Sequence, residues 1–510
     1  MKDRKIVLIS TFPDIQAYGI RIISSVLKGA GFKTNLVFLN APFGDLYSQE
    51  VLEKLLEVSR DALFVGVSLM TNFFERAKQI SLFLKEHLKE VPVIWGGVHT
   101  ALKPDECLLY ADMVCIGEAE KIIAPLAESL MRSDPPGQLN NIWFKANGET
   151  IKNRIAPFPD NINGLPFPDY EYPSHFIIDN NRLVPMDLKR MEQYMGYEYS
   201  TIATRGCFYN CTFCANNFFE KHFHVPNTMK LRSRGMEDII GELSLAKKRL
   251  SFIRIFKFSD DLFMALPKET IEKFCRLYRD SGLKLPLDIT GIHPLILKED
   301  KFKLLVEAGL KYVRMGIQSG NQGIRKLYGR NETNDKIMEG VRVIHKYRKR
   351  LKAIRYDFMV DNPWEAEEDI KDSLRLLAKI PKPYKINVFS LTLYPGTELY
   401  NKAKEEGVIK DESSQIYNKH YHDNVSASYY NELFKIISIY RLPKRCFMLL
   451  IEDKSNPLAK MIYFVLRSGA QSVSRLKRLA HLVKEGVSDI KEGNLERINK
   501  FIFMRPRVVH

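Results

Sequence analysis

The chain has 510 residues, of which 45% are hydrophobic and 27% are charged, and its formal net charge is +16. This is the composition of a soluble globular protein with roughly two to four domains. No segment approaches the roughly 18 to 20 apolar residues of a spanning helix, and the start MKDRKIVLISTF has too short an apolar run for a signal peptide. We therefore expect a cytoplasmic protein.

The first 135 residues alternate short apolar runs with amphipathic stretches, which is typical of a doubly wound parallel sheet. Ligands of such sheets lie at the carboxyl ends of the strands. The predicted strands are IVLIS (6 to 10), NLVFLN (35 to 40), ALFVGVSL (62 to 69), VPVIWGG (91 to 97) and DMVCIG (112 to 117).

Residues 136–195 are predicted to connect two domains, because the chain from Asp134 to about Pro173 is rich in Pro, Asn and Gly. A second alternation fills residues 196–410 and fits an open, partial (β/α)6 TIM barrel, whose functional residues follow the strands. Residues 411–510 have a helical, basic pattern and form a predicted C-terminal domain. The predicted barrel strands are YSTIATRG (199 to 206), FIRIFKFS (252 to 259), PLDITG (286 to 291), YVRMGIQSG (312 to 320), AIRYDFMV (353 to 360) and INVFSLTL (386 to 393).

Three of the seven cysteines stand together in TRGCFYNCTFCANN, directly after the first barrel strand. Cys207, Cys211 and Cys214 have the spacing Cys-x3-Cys-x2-Cys. Three thiolates can hold three irons of a 4Fe-4S cluster and leave the fourth iron open to chelate a small molecule. The alternative is a zinc site that adds His222 or His224 to the same thiolates.

The motif resembles the C-x3-C-x-aromatic-C signature of the radical S-adenosylmethionine (SAM) superfamily. The resemblance implies that Cys207, Cys211 and Cys214 hold the cluster and are needed for catalysis, and that Phe213 lines the adenine side of SAM. In that family the open iron binds SAM, and reductive cleavage gives methionine and a 5'-deoxyadenosyl radical. It also implies an external electron donor of the flavodoxin or ferredoxin type.

Later segments resemble the same family in the same order. FKFSDDLF places Ser259 and Asp260, followed by Asp261, where the family has polar contacts to SAM. MGIQSG resembles the family's G-I-E-S-G segment, with Gln318 in place of Glu, so that a hydrogen bond to SAM is possible but a charge is not. LTLYPGTELY resembles the closing Pro-Gly-Thr turn.

The N-terminal segment VIWGGVHTALKPDECLLYADMVCIGEAEKIIAPLAE resembles the cobalamin-binding domains that precede many radical SAM enzymes. Gly96 and Gly97 would let the backbone approach a large flat ligand, and Gly117 with Glu118 closes the next strand. Ser68 and Thr71 are short hydroxyls suited to the nucleotide tail, although either could instead cap a helix.

The classical cobalamin motif Asp-x-His-x-x-Gly has its counterpart here in Asp14, Gln16 and Gly19, which lacks the histidine. His99 is the other candidate ligand, but a lone histidine after a strand is more often a hydrogen-bonded loop residue. We therefore expect the cobalt to lack a protein imidazole.

The leading hypothesis is a cobalamin-dependent radical SAM methyltransferase that acts on an unactivated carbon of a small molecule or natural product. One alternative keeps both cofactors but ends in cyclisation or rearrangement without methyl transfer. Another is a zinc-bound scaffold that recognises a partner through its basic tail.

The tail carries much of the positive charge: residues 431–510 contain 16 Lys and Arg against 7 Asp and Glu. Charge confined to one terminal segment does not suggest a nucleic-acid partner. Its apolar clusters CFMLLI and MIYFVL, interleaved with basic residues, fit either a helical domain docked on the barrel or a peripheral contact with an anionic membrane.

Overall fold

The computed structural model describes residues 4–469, apart from residues 135, 160, 224–230, 421–424 and 441. The chain folds around two large sheets, and the carboxyl ends of their parallel strands meet a shared cavity described below. This confirms the α/β class with an N-terminal Rossmann-like part, a partial barrel and a helical region after it.

The first sheet has nine strands in the order β7-β6-β5-β4-β3-β1-β2-β8-β9. They are β1 (Lys5–Ser10), β2 (Lys33–Phe38), β3 (Ala62–Ser68), β4 (Val93–Gly96), β5 (Met113–Cys115), β6 (Ile142–Ala146), β7 (Glu149–Lys152), β8 (His175–Asp179) and β9 (Arg182–Pro185). The helices of this part are α1 (Tyr18–Gly29), α2 (Gln49–Ser59), α3 (Phe74–His87), α4 (Val98–Leu102), α5 (Pro104–Cys107) and α6 (Ile123–Met131).

Both faces of this sheet are buried, which explains why its central strands read as continuous apolar runs. Along β1, Ile6 and Leu8 join one hydrophobic cluster with α1 and α6, whereas Val7 and Ile9 join another with α2 and α3. Successive side chains of a strand point to opposite faces, so every position must be apolar.

The predicted connector over residues 136–195 needs correction, because it supplies four strands, β6 to β9, to the first sheet. These strands pair antiparallel in two hairpins, β6 with β7 and β8 with β9. Asn147 and Gly148 make the first turn and Asn180 and Asn181 the second, all with φ between 52° and 82°. Such consecutive positive φ values are those of the tight turns that match strand twist, so part of the Asn and Gly content marks hairpins and not an open linker.

The second sheet has six strands in chain order, each parallel to its neighbour, which is the predicted open barrel. They are β10 (Glu198–Thr201), β13 (Ile255–Phe258), β14 (Leu287–Ile292), β15 (Leu310–Gln318), β16 (Ala353–Val360) and β17 (Lys385–Ser390), while β11 (Thr204–Arg205) and β12 (Arg232–Ser233) pair separately. The helices are α7 (Leu188–Met195), which precedes β10, then α8 (Ala215–His222), α9 (Met236–Arg249), α10 (Lys268–Asp280), α11 (Glu299–Ala308), α12 (Gln322–Leu327), α13 (Asn334–Lys346), α14 (Glu367–Lys379) and α15 (Glu398–Glu405).

The described part of the C-terminal region packs beside the last barrel strand. It contains α16 (Tyr429–Ile439), α17 (Lys444–Glu452) and a further helical stretch over 457–469. Leu433, Phe434 and Leu450 are buried in the same hydrophobic cluster as the barrel strands. No helix among the described residues is long and apolar enough to cross a bilayer. The predicted continuation over residues 470–510 lies outside the described residues.

Candidate cofactor site

The cysteine loop runs from the β11 strand to the start of α8 and is held from behind by two other barrel loops. The Thr212 backbone N–H donates to the Tyr328 carbonyl at 3.1 Å, and its own carbonyl accepts from the Leu399 N–H at 3.0 Å. Gly329 has φ +68°, and a Cβ there would lie 2.3 Å from the Asn210 carbonyl oxygen. The loop after α12 therefore needs glycine to let the cysteine loop pass so closely.

Cys207, Cys211 and Cys214 are free thiols, each partly exposed as a residue. Burial raises the pKa of the Cys207 and Cys214 thiols to about 12 in the metal-free chain. Metal ligands must be deprotonated, so binding iron here has to displace these protons.

The same thiols lie close enough to one another that each of two neighbours raises the pKa of Cys214. Within the described parts of the chain, no three His, Cys, Asp or Glu side chains are grouped closely enough to hold a metal ion. The zinc alternative would add His222 or His224 to these thiolates. His222 is engaged elsewhere, with Nδ1 2.9 Å from the Phe218 carbonyl oxygen, and His224 lies outside the described residues. The Cys-x3-Cys-x2-Cys spacing, with the other four cysteines elsewhere in the sequence, fits a 4Fe-4S cluster with an open iron.

Aromatic residues of the motif pack against the barrel. Phe213 meets Tyr328 edge to face with ring centroids 5.5 Å apart. Tyr209 stacks on His293, which follows β14, at 3.9 Å. These contacts fix the side of the loop that faces the barrel, where the resemblance implies that the adenine lies.

The three polar residues after β13 divide between two roles. Ser259 is exposed and lines the cavity, as does Asp261, whose carboxylate accepts from Asn216 Nδ2 at 2.9 Å. Asp260 is buried and turns away from the cavity to accept from the Ala203 and Thr204 backbone N–H groups and the Thr204 hydroxyl. The predicted cofactor contact at Asp260 is therefore corrected: its carboxyl supports the turn that leads into the cysteine loop.

Gln318 ends β15 in the left-handed region, with φ +70°. Non-glycine residues rarely adopt this conformation, and functional sites are among the places where it persists. Arg330 Nη2 donates to the Gly316 carbonyl at 2.9 Å and steadies the same strand end. The side chain of Gln318 is half-buried, and its contact with SAM stays a prediction.

A cavity of about 320 Å³ lies between the two sheets. One wall comes from the loops after β4 and β5, and the other from the cysteine loop, α8 and the end of β13. The first wall consists of Gly97, Val98, Ala101, Gly117 and Glu118, and the second includes Gly206, Cys207, Asn216, Phe219, Ser259 and Asp261. Loops at the carboxyl ends of two parallel sheets thus face each other, which is where ligands of both folds bind.

The glycines of the N-terminal wall serve different purposes. Gly97 has φ +103°, and a Cβ there would lie 2.6 Å from the Leu69 carbonyl oxygen, so its own backbone requires glycine. At Gly117, with φ +86°, a Cβ would meet the Phe223 ring at 2.9 Å. A Cβ at Gly96 would meet no atom within 4 Å. Of the three, Gly96 is the one that leaves open space for a flat ligand to approach.

Ser68 lines a second, apolar cavity of about 80 Å³ that runs beneath Gly96 between the sheet and the α1 and α6 helices. A hydroxyl at the mouth of a narrow apolar slot suits the nucleotide tail predicted for it. This role for Ser68 stays a prediction.

Thr71 and His99 lie in the core of the N-terminal half, beneath the cavity wall that contains Gly97 and Gly117. The Thr71 hydroxyl is 3.1 Å from Nδ1 of His99, and both residues are almost fully buried. Phe74 and Tyr417 pack against the imidazole, and burial lowers its pKa to about 3. Neither side chain lines the described cavities, so the predicted ligand contacts of Thr71 and His99 are corrected to a structural pair.

Gln16, which occupies the position of the classical histidine, faces the barrel instead of the cavity. Its Oε1 accepts from the Ser200 backbone N–H of β10 at 2.6 Å. A hydrogen bond between the two halves therefore replaces the metal ligand at this position.

Glu118 is engaged by arginines that sequence reasoning missed. Arg232 donates to both of its carboxylate oxygens, at 2.7 and 2.8 Å, and Arg205 approaches at 3.3 Å. Phe158, from the former connector, stacks on Phe223 with centroids 4.6 Å apart and lines the cavity beside them. Arg205 lies within the TRGC segment, but nothing local marks Arg232 or Phe158, because both reach the site through the tertiary fold.

The residues present fit the implied cofactors. Three thiols at the mouth of the barrel suit a cluster with an open iron, and Cys207 borders the cavity itself. The open approach at Gly96 and the apolar slot beneath it suit a large corrin ring with a tail. The cavity bordered by both sets of residues lies between the two predicted cofactor sites.

Two family models match the chain in the order of its two sheets. The B12 binding domain matches residues 4–127 and the radical SAM superfamily matches residues 201–377. The bacteriochlorophyllide d C-8(2)-methyltransferase of Chlorobaculum tepidum is 25% identical over 367 residues, 69% of this chain and 71% of that one. The anaerobic magnesium-protoporphyrin IX monomethyl ester cyclase of Synechocystis sp. is 21% identical, over 79% of this chain and 76% of that one.

Solved structures share the fold. The cobalamin-dependent SAM radical enzyme OxsB, with aqua-cobalamin and SAM bound, has a TM-score of 0.66 at 14% identity over 99% of this chain and 82% of its own. The radical SAM methyltransferase TsrM from Kitasatospora setae has a TM-score of 0.63 at 16% identity, over 79% and 76%. By the two family-model matches, residues 4–127 form a B12-binding domain and residues 201–377 a radical SAM domain, so that the chain is a radical SAM enzyme whose cofactors are a 4Fe-4S cluster, SAM and cobalamin.

Proposed function

We propose that this enzyme transfers a methyl group to an unactivated carbon of a small-molecule or natural-product substrate. The observation that carries the proposal is the single cavity of about 320 Å³ whose walls come from both cofactor-binding parts of the chain. A methyl donor on one wall and a hydrogen-abstracting centre on the other could then act on the same substrate carbon. The relative from Chlorobaculum tepidum is named as a methyltransferase, which supports this reaction class.

When bound, the cluster and SAM supply the radical chemistry and cobalamin carries the methyl group, so the protein's part is to bind, orient and shield. Phe158 and Phe219 give the cavity apolar surface that excludes water. Asn216 and Asp261 give it a polar corner, where the Asp261 carboxylate accepts a hydrogen bond from Asn216. Gly97 and Gly117 hold the opposite loops in left-handed conformations that shape the other wall.

The test is product mass under anaerobic conditions with SAM whose methyl group is deuterated. Bacteriochlorophyllide d and magnesium-protoporphyrin IX monomethyl ester are the first acceptors to try, because the two curated relatives are named for them. Methyl transfer makes the product heavier by one CH₂ unit and carries the deuterium with it. A reconstituted enzyme that binds no cobalamin would overturn the proposal.

A cyclase or rearrangement enzyme is the second candidate, and the Synechocystis relative, named as a cyclase, favours it. Both candidates use the same cofactors and the same cavity. In this case the label stays out of the product, and the mass changes by something other than CH₂.

The proposal includes an external electron donor of the flavodoxin or ferredoxin type, because the cluster must be reduced before each SAM cleavage. The supporting feature is the partly exposed cysteine loop. Reduced flavodoxin should sustain SAM cleavage, and cleavage that proceeds with dithionite but with neither protein donor would contradict this part.

The C-terminal region is proposed to touch an anionic membrane surface from the cytoplasmic side. In the helix over 457–469 the inner face packs on the core through residues such as Ala459, Tyr463 and Leu466. Its outer face is apolar and 51% to 70% exposed, and consists of Leu458, Met461, Phe464 and Val465. Lys460 lies at one edge of that face, and residues 431–510 carry nine more basic than acidic residues. An apolar face in a chain segment with an excess of basic residues suits the interface of an anionic bilayer.

Liposome cosedimentation tests this contact. The intact protein should sediment with vesicles that contain phosphatidylserine at low salt and be released as ionic strength rises. Replacing Met461 and Phe464 with Ser should reduce binding, whereas replacing Leu109, a 65% exposed residue of the N-terminal half, should not. Lack of vesicle binding, with self-association in its place, would assign the face to a second copy of the chain.

A further inference from the structure

Four charged side chains join the cobalamin-binding half to the cysteine loop at the edge of the cavity. Glu118 and Glu120 follow β5, whereas Arg205 and Arg232 belong to the β11 and β12 strands of the barrel half. Arg205 Nη1 lies 2.6 Å from Glu120 Oε1 and 3.3 Å from Glu118 Oε1. Arg232 holds Glu118 through both carboxylate oxygens.

We propose that this junction sets the position of the cysteine loop relative to the cobalamin wall, with Arg205 and Glu120 as positioning residues. The inference rests on the proposed function, in which both cofactors must face one substrate. Arg205 is two residues before Cys207, and Glu118 is next to Gly117, so each side of the junction adjoins a cavity-lining residue. A shift of one ion-pair partner is therefore passed directly to a wall of the cavity.

Burial makes the junction specific. The side chains of Arg205 and Glu120 are only 15% and 9% exposed, and those of Arg232 and Glu118 only 5% and 16%. Removing one member of a buried pair leaves a charge without its partner, which is unfavourable in a way that an exposed pair is not. The pairs thus favour one relative arrangement of the two halves over displaced ones.

A substitution at Glu120 can distinguish a positioning role from direct ligand contact. Glu120 pairs with Arg205 but does not line the cavity, whereas Glu118 lines it. Any effect of Glu120→Gln on cobalamin binding must act through other residues. The matched control is Glu452→Gln, which breaks an exposed pair with Arg375 on α14.

The experiment compares full-length wild type, Glu120→Gln and Glu452→Gln by amide hydrogen exchange and by titration with hydroxocobalamin. In Glu120→Gln we expect faster exchange at residues 113–122 and 200–206, and roughly tenfold weaker hydroxocobalamin binding, because the competent arrangement is less populated. Glu120→Asp, which keeps the charge, should recover most of the wild-type exchange protection and most of the hydroxocobalamin affinity. Glu452→Gln should match wild type.

Wild-type exchange and affinity in a folded Glu120→Gln would overturn the inference, and so would equal losses in Glu452→Gln. If Glu120→Gln does not fold, amide hydrogen exchange in Arg205→Lys, which keeps the charge but loses the planar fork, decides alone, because Arg205 itself lines the cavity. A wild type that binds no hydroxocobalamin would sink the proposed function instead, while the exchange comparison would still decide on the junction.

Discussion

The two walls of the cavity differ in how locally their residues are encoded. On the barrel side, the proposed metal ligands are three cysteines within eight residues of sequence, and other loops hold that segment in place. On the N-terminal side, the wall is built from loops after separate strands, and two of the seven predicted contact residues, Thr71 and His99, lie in the core instead. Ligands that lie within one loop can be identified from the sequence without knowing the fold. A surface assembled from several loops cannot, because its residues meet only in the tertiary structure.

The largest expected effect is on the barrel side. Cys207→Ala, Cys211→Ala or Cys214→Ala should abolish SAM cleavage, because each removes a ligand of the only implied cluster. Iron and acid-labile sulfide analysis with chromatography of the cleavage products measures this. Cys275→Ala, which removes a buried thiol on α10, is the control and should retain the cluster. Zinc without iron in the wild type would contradict the assignment.

On the other wall, two adjacent glycines should behave differently. Gly97→Ala should destabilise the fold by roughly 1–3 kcal/mol, because φ +103° and the Leu69 carbonyl leave no room for a Cβ. Gly96→Ala should leave the thermal midpoint unchanged but weaken hydroxocobalamin binding, since its Cβ would project into open space. Thermal unfolding with a hydroxocobalamin titration separates the two. Unchanged affinity in Gly96→Ala would remove Gly96 from the ligand surface.

Asp260 offers a pH test of the support behind the barrel wall. Burial raises its pKa to about 7 from the ordinary 3.8. The folded chain therefore holds the Asp260 proton more tightly than the unfolded chain. The protonated Asp260 adds to the free energy of unfolding below about pH 4, and this contribution is lost as the pH rises to about 7. Asp260→Asn cannot ionise. The unfolding free energy of wild type relative to this variant should fall over that interval and level off above it, as measured by urea midpoints.

The smallest expected effect concerns His99 and tests whether the N-terminal wall supplies a ligand to cobalt. The cob(II)alamin form should show no nitrogen superhyperfine splitting in its electron paramagnetic resonance spectrum, because Gln16 and His99 both face away from the cavity. His99→Ala should leave that spectrum unchanged while lowering stability through the loss of a buried side chain. A splitting that disappears in His99→Ala would place the imidazole on cobalt after all.

Much of the fold was predictable because it follows from periodicity. Continuous apolar runs such as IVLIS and ALFVGVSL predicted doubly covered parallel strands, and all five strands of the first alternation are present. The hairpins within residues 136–195 were missed, although Asn147-Gly148 is a recognised turn signal, because proline-rich flanks dominated the composition. The adjacent residues Asp260 and Asp261 point to different sides of a strand end, which composition alone does not reveal.

The sequence by itself determined the parallel strands of both sheets, the three-cysteine motif and the order of the cofactor domains, because each depends on residues close together in the chain. Only the tertiary structure decided which polar groups face the cavity. It buried His99 against Thr71, turned Gln16 toward Ser200 and brought Arg232 to Glu118 across 114 positions of the sequence. Contacts at such separation depend on how whole sheets pack, and no local spacing records that.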